Sequence, residues 1–159
     1  SDRALSPRMA TTASCLTAWS TMRPSKESTS IFWNDSTHSN TSNLRSSIEN
    51  NGYPTMSFYG SAHVHDPETI GIWVRDPEAG FLKRIKLHNK VTLLYRNSKQ
   101  KQIWLFQGRA HIAESDEDKS RIYLESHPGE QERDPERLGK AIRVQVDRVT
   151  SYGKVLMER

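Results

Sequence analysis

The stretch GIWVRDPEAGFLKRIKLHNKVTLL, residues 71–94, reads as a strand, a capped turn, a helix and a second strand in immediate succession, and the rest of the chain is arranged around it. Residues 71–75 alternate, so Trp73 and Arg75 take one face of a strand while Ile72 and Val74 take the other. Asp76-Pro77 stops that strand and is expected to start the helix: an Asp side chain accepts the first free N–H groups, and Pro at the first helical position forfeits no hydrogen bond. Phe81, Leu82 and Ile85 then form an apolar stripe, with Lys83, Arg84 and Lys86 on a basic one. His88-Asn89 marks the exit, and residues 91–95 form a strongly apolar strand.

Upstream, residues 44–49 predict a strand followed by the turn Asn50-Asn51-Gly52, whose composition tolerates positive φ. Residues 55–64 predict one continuous half-buried strand, with Met56, Phe58, Gly60, Ala62 and Val64 on its apolar face and Gly60 as a barrel bend. Downstream, residues 102–112 alternate Trp104, Phe106, Gly108, Ala110 and Ile112 against a more polar face, a large-to-small taper that suits a closing barrel. Ser115-x-x-Asp118 opens a helix through Ile122, Tyr123 and Leu124, and Asp134-Pro135 predicts a second short helical turn ended by Gly139. Residues 141–149 and 155–157 complete the strands.

A length of 159 residues implies one folded domain, here placed at residues 41–159. Residues 1–40 are Ser/Thr-rich, lack a 2.0 or 3.6 period and lack the apolar segment of a secretory signal, so they read as an irregular extension. A single cysteine, Cys15, excludes an internal disulfide framework and a cysteine zinc site. No apolar run approaches the roughly 20 residues of a membrane helix, and a soluble, cytoplasmic protein is expected. The net charge of +4 is uneven: residues 52–110 hold 9 basic and 4 acidic side chains, whereas 111–159 hold 9 and 11. A basic centre fits a phosphorylated small molecule; with no long Lys/Arg run and no aromatic RNA-binding motif, nucleic acid is not expected.

Six pieces in order, Pro54-x-x-Ser57, Ile72-Trp73-Val74, His88-Asn89-Lys90-Val91, Leu93-Leu94-Tyr95-Arg96, Gly108-Arg109-Ala110 and Asp134-Pro135-Glu136-Arg137, resemble the pyridoxamine 5'-phosphate oxidase-like family of flavin-binding split barrels. The resemblance spans residues 44–149. It implies a mostly β, antiparallel, Greek-key-like split barrel with two or three short helices. It also implies a homodimer with FMN in a groove between subunits, and an FMN-dependent oxidoreductase acting on a small-molecule substrate. A non-catalytic flavin- or haem-binding module and a deazaflavin-dependent reductase are the alternatives.

The residues expected to hold the cofactor are Met56, Ser57, Phe58, Trp73, Val74, Arg75, Gly80, Phe81, Lys83 and Arg84, with Ser61 a further hydroxyl. Arginines, lysines and hydroxyls replace a phosphate's lost hydration, and Met56, Phe58, Gly60, Trp73 and Val74 offer an apolar wall for the ring. Where the family commonly carries Thr, Ser and Lys, this chain has Arg75, Ala79 and Phe81, which makes Arg75 the expected principal phosphate partner. Trp73, Phe58 and Trp104 are expected to line one open groove covered by the second subunit. No side chain stands out as a general acid or base. His63-x-His65 puts two imidazoles on one side of a strand, but no spacing provides a third ligand and no metal is expected. There is no G-x-S-x-G nucleophile turn, and Cys15 has no organised neighbours.

Overall fold

The computed structural model describes residues 41–59, 62–98 and 101–159. Among the described residues, eight antiparallel strands form one sheet in the order β2-β1-β5-β6-β7-β4-β3, with β8 paired to β7. The strands are β1 (Thr41–Ile48), β2 (Pro54–Phe58), β3 (Ala62–Asp66), β4 (Thr69–Val74), β5 (Lys90–Asn97), β6 (Gln102–Ile112), β7 (Lys140–Ser151) and β8 (Lys154–Glu158). Three helices accompany them among the described residues: α1 (Gly80–Leu87), α2 (Asp116–Glu125) and α3 (Pro128–Arg133). The jump from β4 through α1 to β5 carries the chain from one half of the sheet to the other, because β4 pairs with β7 while β5 pairs with β1 and β6.

The alternation of residues 102–112 survives as drawn: Trp104, Phe106, Gly108 and Ala110 are buried, and the residues between them are half-buried. The main core joins Ile72 and Val74 of β4, Phe81, Leu82 and Ile85 of α1, and Leu93, Phe106, Ile142 and Val144 of the central strands. A smaller core on the other face of β4 holds Trp73, Ala113, Ile122, Tyr123 and Ala141. The opposite faces expected for Ile72/Val74 and Trp73 are therefore filled by two separate layers.

Three expectations are corrected. Residues 55–64 are not one strand: β2 pairs with β1 and β3 with β4, so the chain changes sheet partner between them. Across that break the faces exchange, leaving Met56 and Phe58 at 70% and 63% exposure while Tyr59 and Ala62 are buried. Period-2 alternation locates a strand's two faces but not the point at which a barrel strand switches partner. Gly60 and Ser61 lie outside the described residues. Next, Asp76 does not cap α1; its carboxylate accepts from Glu78 N–H at 2.9 Å in a local turn, and the helix begins at Gly80 after Ala79. An Asx turn satisfies Asp76 before the helix starts, so the two uses of the residue compete. Finally, the short helix lies before Asp134 rather than after it, with Pro128 in its first turn, and residues after Asp134 form a turn closed by Arg137 N–H to the Asp134 carbonyl.

Gly108 sits at a bulge between β6 and β7. A Cβ there would lie 2.2 Å from the Gln145 carbonyl oxygen, which is backbone and cannot swing aside. Gly108→Ala is expected to cost at the upper end of the roughly 1–3 kcal/mol typical of overpacking. Denaturant unfolding should show a lower midpoint at unchanged slope.

Candidate functional site: a basic corner between β1, β2 and α1

Pairing of β1 with β2 sets Arg45 opposite Ser57, and α1 crosses beside them. Arg45 donates from Nε to Ser57 Oγ at 3.1 Å, and its guanidinium lies 4.1 Å above the Phe81 ring. Arg84, one turn into α1, donates from Nε to Ser47 Oγ at 2.8 Å. Two guanidiniums are thus fixed by two serine hydroxyls in one corner. Among the described residues neither is ion-paired with a carboxylate. Burial, and then the neighbouring Arg84 charge, lower the Arg45 pKa to about 10, against weaker opposing influences from Tyr59 and Glu130. Tyr59 is buried in the same region, and burial raises its phenol well above the usual range. Gly80, Lys83 and Arg84 line a shallow depression of about 370 Å³ with Glu49, Asn50 and Asn51 of the β1–β2 turn.

The ten residues singled out from the sequence divide into groups. Ser57, Phe81 and Arg84 lie around Arg45, and Gly80 and Lys83 share the depression beside Arg84. Val74 is core, packed with Phe81 in the barrel interior. Arg75 stands at the end of β4, where its Nε meets Glu130 Oε2 at 2.6 Å; that carboxylate is buried and also acts on Arg45. Lys83 is 3.4 Å from exposed Glu78.

Trp73 points to the opposite layer: its Nε1 donates to Asp134 Oδ2 at 3.0 Å and its ring meets Tyr123 edge-on, 5.0 Å between centroids. Met56 and Phe58 lie exposed on the outer face of β2, near exposed Tyr53. Trp73, Phe58 and Trp104 therefore share no groove within one chain, because Trp104 belongs to the main core beside Phe106. A wider cleft of about 790 Å³ opens beyond the C-terminal end of α1, lined among others by Lys86, Lys90 and Glu114, and includes none of the ten.

Arg45, Ser47, Tyr59 and Glu130 were missed. Arg45 and Ser47 are two apart on one strand and so share a face, the one signal available for them. Glu130 comes from α3, whose approach to Arg75 no local pattern announces.

No family profile and no curated protein matches the chain by sequence. Among solved structures it is similar to the HupZ protein of Group A Streptococcus, with a TM-score of 0.57 at 14% identity, covering 76% of this chain and 91% of that one. A protein of Clostridium acetobutylicum related to general stress protein 26, of the pyridoxinephosphate oxidase family, gives 0.56 at 16% identity over 72% and 80%. An F420 reductase gives 0.53 at 11% identity over 74% and 95%. The fold is the split barrel of pyridoxamine 5'-phosphate oxidase-like proteins, as the sequence resemblance implied. No helix among the described residues is long and apolar enough to cross a membrane.

Proposed function

We propose that this chain is an FMN-dependent oxidoreductase that binds the flavin phosphate at the Arg45–Arg84 corner and works as a homodimer on a small-molecule substrate. The observation that supports this reading is the pair of adjacent guanidiniums held by Ser47 and Ser57, neither of them in a direct ion pair among the described residues, with Glu130 acting on Arg45 only as the weakest of the four influences on it. A phosphate dianion brings two negative charges and several acceptor oxygens, offsetting the burial and the Arg84 repulsion that lower the Arg45 pKa. In this reading Ser57, bonded to Arg45, and Gly80 and Lys83, which share a depression with Arg84, add further donors. Arg75 is the costlier donor, since turning it to a phosphate would take it from buried Glu130. On the adjoining edge strand β2, exposed Tyr53, Met56 and Phe58 offer an apolar surface to a flavin ring or a second copy of the chain.

When bound, FMN supplies the hydride and electron chemistry; the chain holds the phosphate, orients the ring and excludes water. A deazaflavin is the second reading, favoured by the F420 reductase among the similar structures.

Arg84→Met tests the assignment at nearly constant volume. Hydrogen bonds to charged groups contribute roughly 1.5–3 kcal/mol, so FMN should bind about tenfold to a hundredfold more weakly. Riboflavin, which lacks the phosphate, should bind nearly as before. Equal losses for both ligands would show that Arg84 acts through the fold. If Arg84→Met costs nothing but Arg75→Ala weakens FMN alone, the phosphate belongs at Arg75 and Glu130.

A further inference from the structure

We propose that His63 and His65 of β3 and Glu125 of α2 form a binding site for a divalent transition-metal ion of the zinc class, separate from the flavin corner. One ring nitrogen from each histidine and one Glu125 oxygen lie within 4.8 Å of one another, and both imidazoles are buried. Ligands at roughly 2.0–2.1 Å from a tetrahedral zinc are about 3.3 Å apart, and His63 Nε2 already stands 3.2 Å from Glu125 Oε2. Two imidazoles and a carboxylate suit zinc, iron(II) and their neighbours rather than calcium or magnesium, which favour all-oxygen shells.

The surroundings are built for these ligands. His63 pairs across the sheet with Gly71, where a Cβ would meet its Nε2 at 2.5 Å and its Cε1 at 2.6 Å, so only glycine leaves the ring its place. Asp118, capped into α2 by Ser115, reaches His65 Nε2 at 2.9 Å and is braced by Arg143 at 3.1 Å. A carboxylate on one ring nitrogen orients a metal-bound histidine and raises its basicity. The other nitrogen, Nδ1, is buried with no hydrogen-bond partner among the described residues, an electron pair that an ion would satisfy. Arg121 holds Glu125 Oε1 at 3.0 Å and also donates to the His65 carbonyl, leaving Oε2 turned to His63. A bound ion would strap α2 to the β3–β4 edge.

The test uses the full chain stripped with a chelator and titrated with Co²⁺, whose visible absorption reports tetrahedral coordination, followed by displacement with Zn²⁺. One ion per chain is expected. Removing a carboxylate that only orients a ligand costs roughly 10–100-fold in metal affinity, so Glu125→Gln and His65→Ala, which remove ligands, should each lose at least about 100-fold. Gly71→Ala should weaken binding by displacing His63. Circular dichroism identifies the variants that remain folded, and Glu125→Gln is the mildest of them. Absence of binding to the folded wild type at micromolar metal, or equal affinity in folded Glu125→Gln, overturns the proposal. Neither result bears on the flavin corner, whose residues are different.

Discussion

Asp134→Ala should lower the stability of the domain by several kcal/mol, since each buried donor left unsatisfied costs roughly 1–3 kcal/mol. Asp134 is buried and receives three donors: Leu138 N–H on Oδ1 at 2.9 Å, Gly139 N–H on Oδ2 at 2.9 Å and Trp73 Nε1–H on Oδ2 at 3.0 Å. The loop after α3 and the smaller core are both pinned by this one carboxylate, and truncation leaves all three donors facing a void. Asp134→Asn keeps one acceptor oxygen and should lose less. Burial pushes the Asp134 carboxyl up, but Gly139, Leu138, Trp73 and the Arg75 charge together hold it below its usual value. A depressed folded-state pKa means the stabilisation is complete above the unfolded value of about 4 and fades as pH falls through the folded one. Denaturant melts of the wild type and Asp134→Ala should therefore differ most at neutral pH and less in acid, the hydrogen-bonding part of the difference persisting. A constant difference down to the acid limit would mean that charge is not what Asp134 contributes.

The double variant Arg45→Met/Arg84→Met should weaken FMN by at least about 100-fold, since two charged donors of roughly 1.5–3 kcal/mol each are lost. Its flavin-free stability should move the other way or not at all. Arg45 is protonated in the fold against a lowered pKa of about 10, so its charge is a burden that a phosphate relieves and that methionine removes. By linkage, any stability gained by the double variant over the flavin-free wild type should shrink as pH rises through about 10, where the unfolded chain still holds the Arg45 proton that the folded chain releases; buried Tyr59, whose raised pKa costs stability over the same range, does so in both proteins. Loss of flavin together with a large loss of stability would instead make the pair a structural element.

Much of the barrel was legible because strands and helices bury regular faces. β6 and the buried stripe Phe81, Leu82 and Ile85 follow directly from their periods. The site was less legible because it is made where elements meet. Ser57, Gly80 and Arg84 stand out as residue types suited to a phosphate, yet the Arg45 that joins them became visible only once β1 was paired with β2. Asp134, part of a recognised motif, turned out to be a hub under Trp73 because a hydrogen bond across 61 positions has no local signature. His63-x-His65 gained Glu125 and Asp118 in the same way, from a helix more than fifty residues away. The break between β2 and β3 was hidden because apolar residues at Met56 and Phe58 look inward by pattern, while the single chain turns them outward.

The most direct test of the flavin reading is titration of the full chain with FMN, followed by flavin absorbance and fluorescence, with riboflavin, F420 and haem run in parallel. Saturation at one FMN per chain is expected, with altered flavin bands and affinity at least about tenfold above riboflavin, the smallest gain that one charged hydrogen bond of roughly 1.5 kcal/mol provides. An unperturbed FMN spectrum at concentrations where haem develops a Soret band, or where F420 alone saturates, would contradict it.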